Sequence, residues 1–378
     1  MNSSRLRVLL MGYGSPVCCV DSLFQALVNM NRALLFTALI AFNSLVIHAQ
    51  QKPGDSTPSS AQNAGSKFVP PPSAFGKEDQ HSLKLIDSDL REASPISGEK
   101  DVYPEFTREL LEVQWRDGDP IDLYIIKPTG VAKPPVVLYL YGYPSETDRF
   151  RNNDYCKRLT ADGYAAIGFV SALTGQRYHD LPMKEWFVSE MPDALSMSVH
   201  DVQMVIRYLS ERGDLDTDHV GIFGNGSGAT IAVLAASVDS RIKAVDALQP
   251  WGDWPTWLAK SSLVPESERP TYLKPEFLAR VAPYDPIQWF ARVQTKALRI
   301  QFVLDDKVTP AVAVQGMRKN IPASIQVLQF ATAHQQYEVM RGGRAFDWIK
   351  DQLHTPDARP ANARADNTEH PAQNERTP

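Results

Sequence analysis

From Asp101 to His354 the hydrophobic and polar positions follow a repeating rhythm of short apolar runs separated by stretches of helical periodicity. Leu111-Glu112-Val113-Gln114-Trp115 alternates, Asp117-Gly118 marks a turn, and Ile121 to Ile126 alternates again, which predicts an antiparallel hairpin at a sheet edge. Val136 to Leu140 is continuously apolar, the pattern of a strand buried on both faces of a parallel sheet. Further buried strands are predicted at Ala165 to Val170, Val220 to Phe223, Ala244 to Leu248, Leu298 to Leu304 and Ile325 to Phe330. Helices are predicted between them, at Asp193 to Ser210, Gly228 to Ala236 and Ala345 to Leu353. The expectation is an α/β fold with a mostly parallel central sheet and helices on both faces. Residues 251–293 interrupt the rhythm with clustered Trp and Pro (Trp251, Trp254, Pro255, Trp257), as a small lid insertion over the carboxyl edge of the sheet would. Its aromatics either line a pocket or pack the lid down.

Outside this region the pattern is lost. Arg32 precedes an apolar run from Ala33 to Ile47, and a cut after Ala49 would fit a signal peptide, so residues 1–49 are read as a leader and the mature chain as secreted or periplasmic. The run is short for a membrane span and is interrupted by Asn43 and Ser44; the rival is an uncleaved amphipathic anchor. Translation starts at Met1 or Met30. Residues 50–100, rich in Pro, Ser, Gln and Gly, and residues 355–378 are read as disordered linker and tail, leaving one folded domain over 101–354. The 378 residues carry a net charge of −5, with 43% hydrophobic and 22% charged residues, which gives no sign of a nucleic-acid partner. After loss of the leader Cys156 is the one cysteine left, so no internal disulfide is expected, and its helical setting reads as structural.

Ligands of open α/β sheets bind at the carboxyl ends of the strands. Three such ends carry candidate chemistry: Asp305-Asp306-Lys307-Val308-Thr309-Pro310, Ala331-Thr332-Ala333-His334, and Gly224-Asn225-Gly226-Ser227-Gly228-Ala229, which opens a helix. A serine hydrolase needs a hydroxyl activated by an imidazole and a carboxylate that orients the imidazole. The chain order nucleophile, acid, histidine is that of α/β hydrolases, and Glu109 to Leu353 resembles that superfamily, in its dienelactone-hydrolase and prolyl-oligopeptidase-like branches. The resemblance implies Asp305 as the acid, with Asp306 as alternative, and His334 as the base. It implies that Tyr143, in Tyr141-Gly142-Tyr143, is an oxyanion donor together with the first helical N–H groups, Gly228 included.

The nucleophile elbow departs from the Gly-x-Ser-x-Gly pattern, because the residue between Gly224 and Gly228 is Gly226 and the serine comes one position later. Two readings follow. In one the turn is shifted by one residue and Ser227 is the nucleophile of a serine esterase or peptidase-like enzyme acting on an ester or amide. In the other Gly226 holds the strained apex without a side chain, Ser227 starts the helix, and the domain binds without acylating. A third class rests on Gly224-x-Gly226-x-x-Ala229 with Asp246 about 20 residues on, which matches a dinucleotide fingerprint in letters but not in strand position. No cofactor or metal is expected, since there is no metal-ligand spacing and no P-loop lysine. Substrate and oligomeric state are not encoded in any motif.

Overall fold

The computed structural model describes residues 75–142, 147–173, 188–295, 297–341 and 344–354. In chain order the strands and helices are β1 (Ile96–Val102), β2 (Phe106–Gln114), β3 (Pro120–Pro128), β4 (Pro135–Leu140), α1 (Asn153–Thr160), β5 (Ala165–Phe169), α2 (Met191–Arg212), β6 (Asp216–Asn225), α3 (Ser227–Val238), β7 (Ile242–Leu248), α4 (Trp254–Lys260), α5 (Arg269–Tyr272), α6 (Pro275–Val281), β8 (Ala297–Val303), α7 (Ala311–Arg318), β9 (Gln326–Phe330), α8 (Ala333–Met340) and α9 (Asp347–Gln352). One sheet runs β1-β2-β3-β5-β4-β6-β7-β8-β9. Pairings from β1 to β5 are antiparallel, and those from β5 through β4 to β9 are parallel. The expected sheet is therefore present, with β1 as an additional edge strand.

The apolar run of β4 divides its side chains between two cores. Val136, Leu138 and Leu140 face the cluster that holds α2, α3 and the lid, whereas Val137 and Tyr139 face Cys156 and Leu159 of α1 and Ile349 of α9. This alternation is why a strand covered on both faces reads as continuously apolar. Cys156 is fully buried, its thiol donates to the Phe150 carbonyl at 3.1 Å, and burial raises its pKa, so it is a packing residue.

Of the linker expected over 50–100, residues 50–74 lie outside the described residues, and the rest includes ordered chain. Residues 75–92 are packed as a strap along α2, with Leu83 and Leu90 buried. The Leu85 N–H donates to the Gln203 side chain at 3.0 Å, and that amide donates back to the Leu83 carbonyl at 2.8 Å. Glu78 accepts from Arg116 at 2.6 Å and contacts His200 at 2.6 Å; Arg116 in turn bonds the fully buried Asp201 at 2.5 Å. Polar side chains and two leucines hold the strap, so it carries none of the apolar periodicity on which an ordered reading depends. The leader over 1–49 and the tail over 355–378 lie outside the described residues.

The lid expected over 251–293 is the insertion between β7 and β8 that contains α4, α5 and α6. Most of its aromatics pack inward: Trp254 and Trp257 are buried, and Trp257 stacks on Trp251 at 5.0 Å between ring centroids.

Candidate active site

The chain leaves β4 toward β5 on one side of the sheet and returns to β6 on the other, so β4 and β6 flank the point where strand order reverses. There the loops following the strands diverge and leave a crevice. A cavity of about 610 Å³ occupies it, lined by Tyr141 and Gly142 after β4, Asn225 at the end of β6 and Gly226 after it, Gln249 and Trp251 after β7, Asp305 to Val308 after β8, and Ala333 and Gln336 at the start of α8.

Its floor is the turn from β6 into α3. Gly226 has φ 58° and ψ −122°, a left-handed conformation that strains any residue with a side chain, and it precedes the first helical residue, Ser227. The two flanking glycines are sterically required. A Cβ on Gly224 would lie 2.6 Å from the Ala229 Cα, and one on Gly228 would fall onto the Leu140 carbonyl. Gly226 differs from both, since a Cβ there would meet nothing closer than the Trp251 indole nitrogen at 3.4 Å. The apex thus has room for a side chain that this sequence does not supply.

The positive φ of the turn falls at Gly226. Ser227 is fully buried as the first residue of α3 and does not line the cavity. Gly228 is also buried and pressed on the end of β4. Tyr143 lies outside the described residues. The dinucleotide reading is corrected: Asp246, placed in that reading on a ribose, is fully buried inside β7, bonded to Arg299 at 2.5 Å and Gln301 at 2.8 Å, and β6 is the sixth strand of the chain instead of the first of its unit.

Asp305 and Asp306 are separated in role by their partners. Asp306 accepts the Val308 N–H at 3.0 Å, the Thr309 N–H at 3.1 Å and the Gln249 amide at 3.0 Å, which closes the loop after β8 on itself. Asp305 instead crosses to the next strand end and accepts the Ala333 N–H at 3.1 Å, one residue before His334. His334 is exposed in the first turn of α8, and among the described residues no hydrogen bond joins its ring to Asp305. The acid and histidine loops are therefore joined through backbone, with the imidazole outside the cavity lining.

Gln249 escaped the sequence reading. Its φ of 53° is rare for a residue with a side chain, and its amide holds three groups: its oxygen accepts the Val303 N–H at 2.6 Å, and its nitrogen donates to the Val303 carbonyl at 3.3 Å and to Asp306. It clamps the end of β7 to the acid loop. The only sequence signal was its position immediately after a buried strand.

A model of the prolyl oligopeptidase family matches residues 175–353, which include the elbow, Asp305 and His334. Acetyl xylan esterase 1 from Thermoanaerobacterium sp. JW/SL YS485 superposes with a TM-score of 0.54 at 18% identity, covering 69% of this chain and 88% of the other. The acetyl xylan esterase from Paenibacillus sp. R4 superposes at 0.52 with 17% identity, covering 66% of this chain and 88% of the other. At such identities the likeness concerns the fold. No curated protein sequence matches the chain.

Proposed function

We propose that the chain acts as an α/β hydrolase akin to the prolyl oligopeptidase family, whose model matches residues 175–353, and that its cleft takes the carbonyl of a carboxylic ester or amide for hydrolysis. The observation that carries the reading is the elbow, whose apex at Gly226 opens on the 610 Å³ cavity between the two strands at the reversal point. The N-terminal turn of α3 stands there, where its dipole favours negative charge developing on a carbonyl oxygen. In the serine route Ser227 attacks, His334 takes its proton and returns it to the leaving group, Asp305 orients His334, and Tyr143 with the Gly228 N–H holds the oxyanion. That route requires Ser227 to leave its buried place at the helix start.

A second reading is favoured by that same burial and by the bare apex: the cleft holds an ester or amide and forms no acyl-enzyme. Fluorophosphonate labelling separates the two. The serine route expects one label on Ser227, abolished with esterase activity in Ser227→Ala. The second expects no label on the native chain and its appearance in Gly226→Ser, where the apex has room for the hydroxymethyl group. Absence of label in both proteins, together with no binding of ester or amide ligands, would refute both readings. The apolar run before Ala49 supports a secreted or periplasmic location, which fractionation of the expressing cell would test.

A further inference from the structure

The charges around the cleft are unequally engaged. Asp306 accepts two backbone N–H groups and the Gln249 amide, and Asp305 accepts the Ala333 N–H. Two cations line the same cavity, Arg149 from the loop after β4 and Lys307 from the loop after β8, and among the described residues neither has a carboxylate in ion-pair contact. Arg149 is exposed yet held in place, its guanidinium 4.2 Å from the centroid of the buried Tyr141 ring. Burial raises the pKa of the Tyr141 hydroxyl against the opposing pull of Arg149, so the phenol stays neutral and leaves the arginine's charge uncancelled. A cation seated on an aromatic face keeps its N–H edges for a planar anion. Apolar walls at Trp251, Leu263 and Val303 complete the cavity.

We infer that the ligand carries a free carboxylate at a distance from the bond to be cleaved, and that Arg149, assisted by Lys307, selects for it. This deepens the ester-or-amide reading of the cleft and rests on it. The test is calorimetric titration of the full chain with N-benzylsuccinamic acid, which has an amide, a benzyl group and a remote carboxylate, and with its neutral primary-amide analogue. The acid is expected to bind about five-fold or more tightly at low salt, with the difference shrinking at high salt. Arg149→Gln should remove the preference, and Arg149→Lys should restore part of it. Equal binding of the two probes to the native chain, or a preference that survives in Arg149→Gln, overturns the carboxylate assignment and leaves the cleft reading standing. Failure of both probes to bind overturns the assignment together with that reading.

Discussion

At the scale of single residues, the β6–α3 turn holds three glycines for different reasons. Gly224 and Gly228 are there because the helix must start almost in contact with the strand that precedes it and with the end of β4. Gly228→Ala would force its methyl group into the Leu140 carbonyl, so α3 has to shift; the expected cost is about 3 kcal/mol, read as a lowered urea midpoint with an unchanged slope. At Gly226 the position is strained by its φ instead of being crowded. A side chain there costs about 1–2 kcal/mol of backbone strain, which enzymes of this architecture tolerate in exchange for an exposed nucleophile. With glycine at the apex this chain carries no side chain under that strain, which makes Gly226→Ser an informative substitution: it should lose stability modestly and, in the reading without an acyl-enzyme, gain reactivity.

At the scale of elements, the strap over 75–92 is secured by charge. Burial on its own would raise the Glu78 pKa, but hydrogen bonds from Arg116 and His200 outweigh it and hold the carboxyl below its usual value. A folded-state pKa below the unfolded one means that the stabilisation is fully present above the unfolded pKa, about 4.3, and is lost as pH falls from there through the lower folded-state value. The strap is therefore expected to loosen in acid, seen as a lowered protection factor at the Leu85 amide, whose N–H is bonded to Gln203, before the central sheet opens. Glu78→Gln should abolish the pH dependence of that protection factor. An unchanged acid profile in the variant would mean that Glu78 does not secure the strap.

At the scale of the whole molecule, the sheet was legible because burial on both faces leaves a direct imprint: β4 and β5 are uninterrupted apolar runs, and β7 and β8 are apolar apart from Lys243 and Asp246 in the one and Arg299 and Gln301 in the other. β1 was not, since six of its seven residues are exposed and it contributes backbone pairing to an edge more than side chains to a core. α8 likewise has no buried residue and left no apolar stripe to read. In the cleft, Asp305 was legible from its position after a buried strand, as was His334, but their relation was not: whether a carboxylate meets an imidazole or a backbone N–H depends on loop geometry that no local pattern encodes. Gly226 was ambiguous for a related reason, because the same five letters allow two registers and only the backbone dihedrals choose between them.

The lid supplies a consequence of a different kind. Trp251 lines the cavity and stacks on Trp257, which meets Trp254 edge-on at 5.7 Å, so three indoles form a chain leading from the cleft into the protein interior. Two of them are shut away from water and the third borders the ligand space. Excitation absorbed anywhere in the triplet should pass among the rings, and a ligand seated against Trp251 should alter the emission of all three. Occupancy of the cleft is then expected to be visible as a saturable change in intrinsic fluorescence, lost in Trp251→Phe, giving the protein an optical gauge of its own binding site without any attached dye.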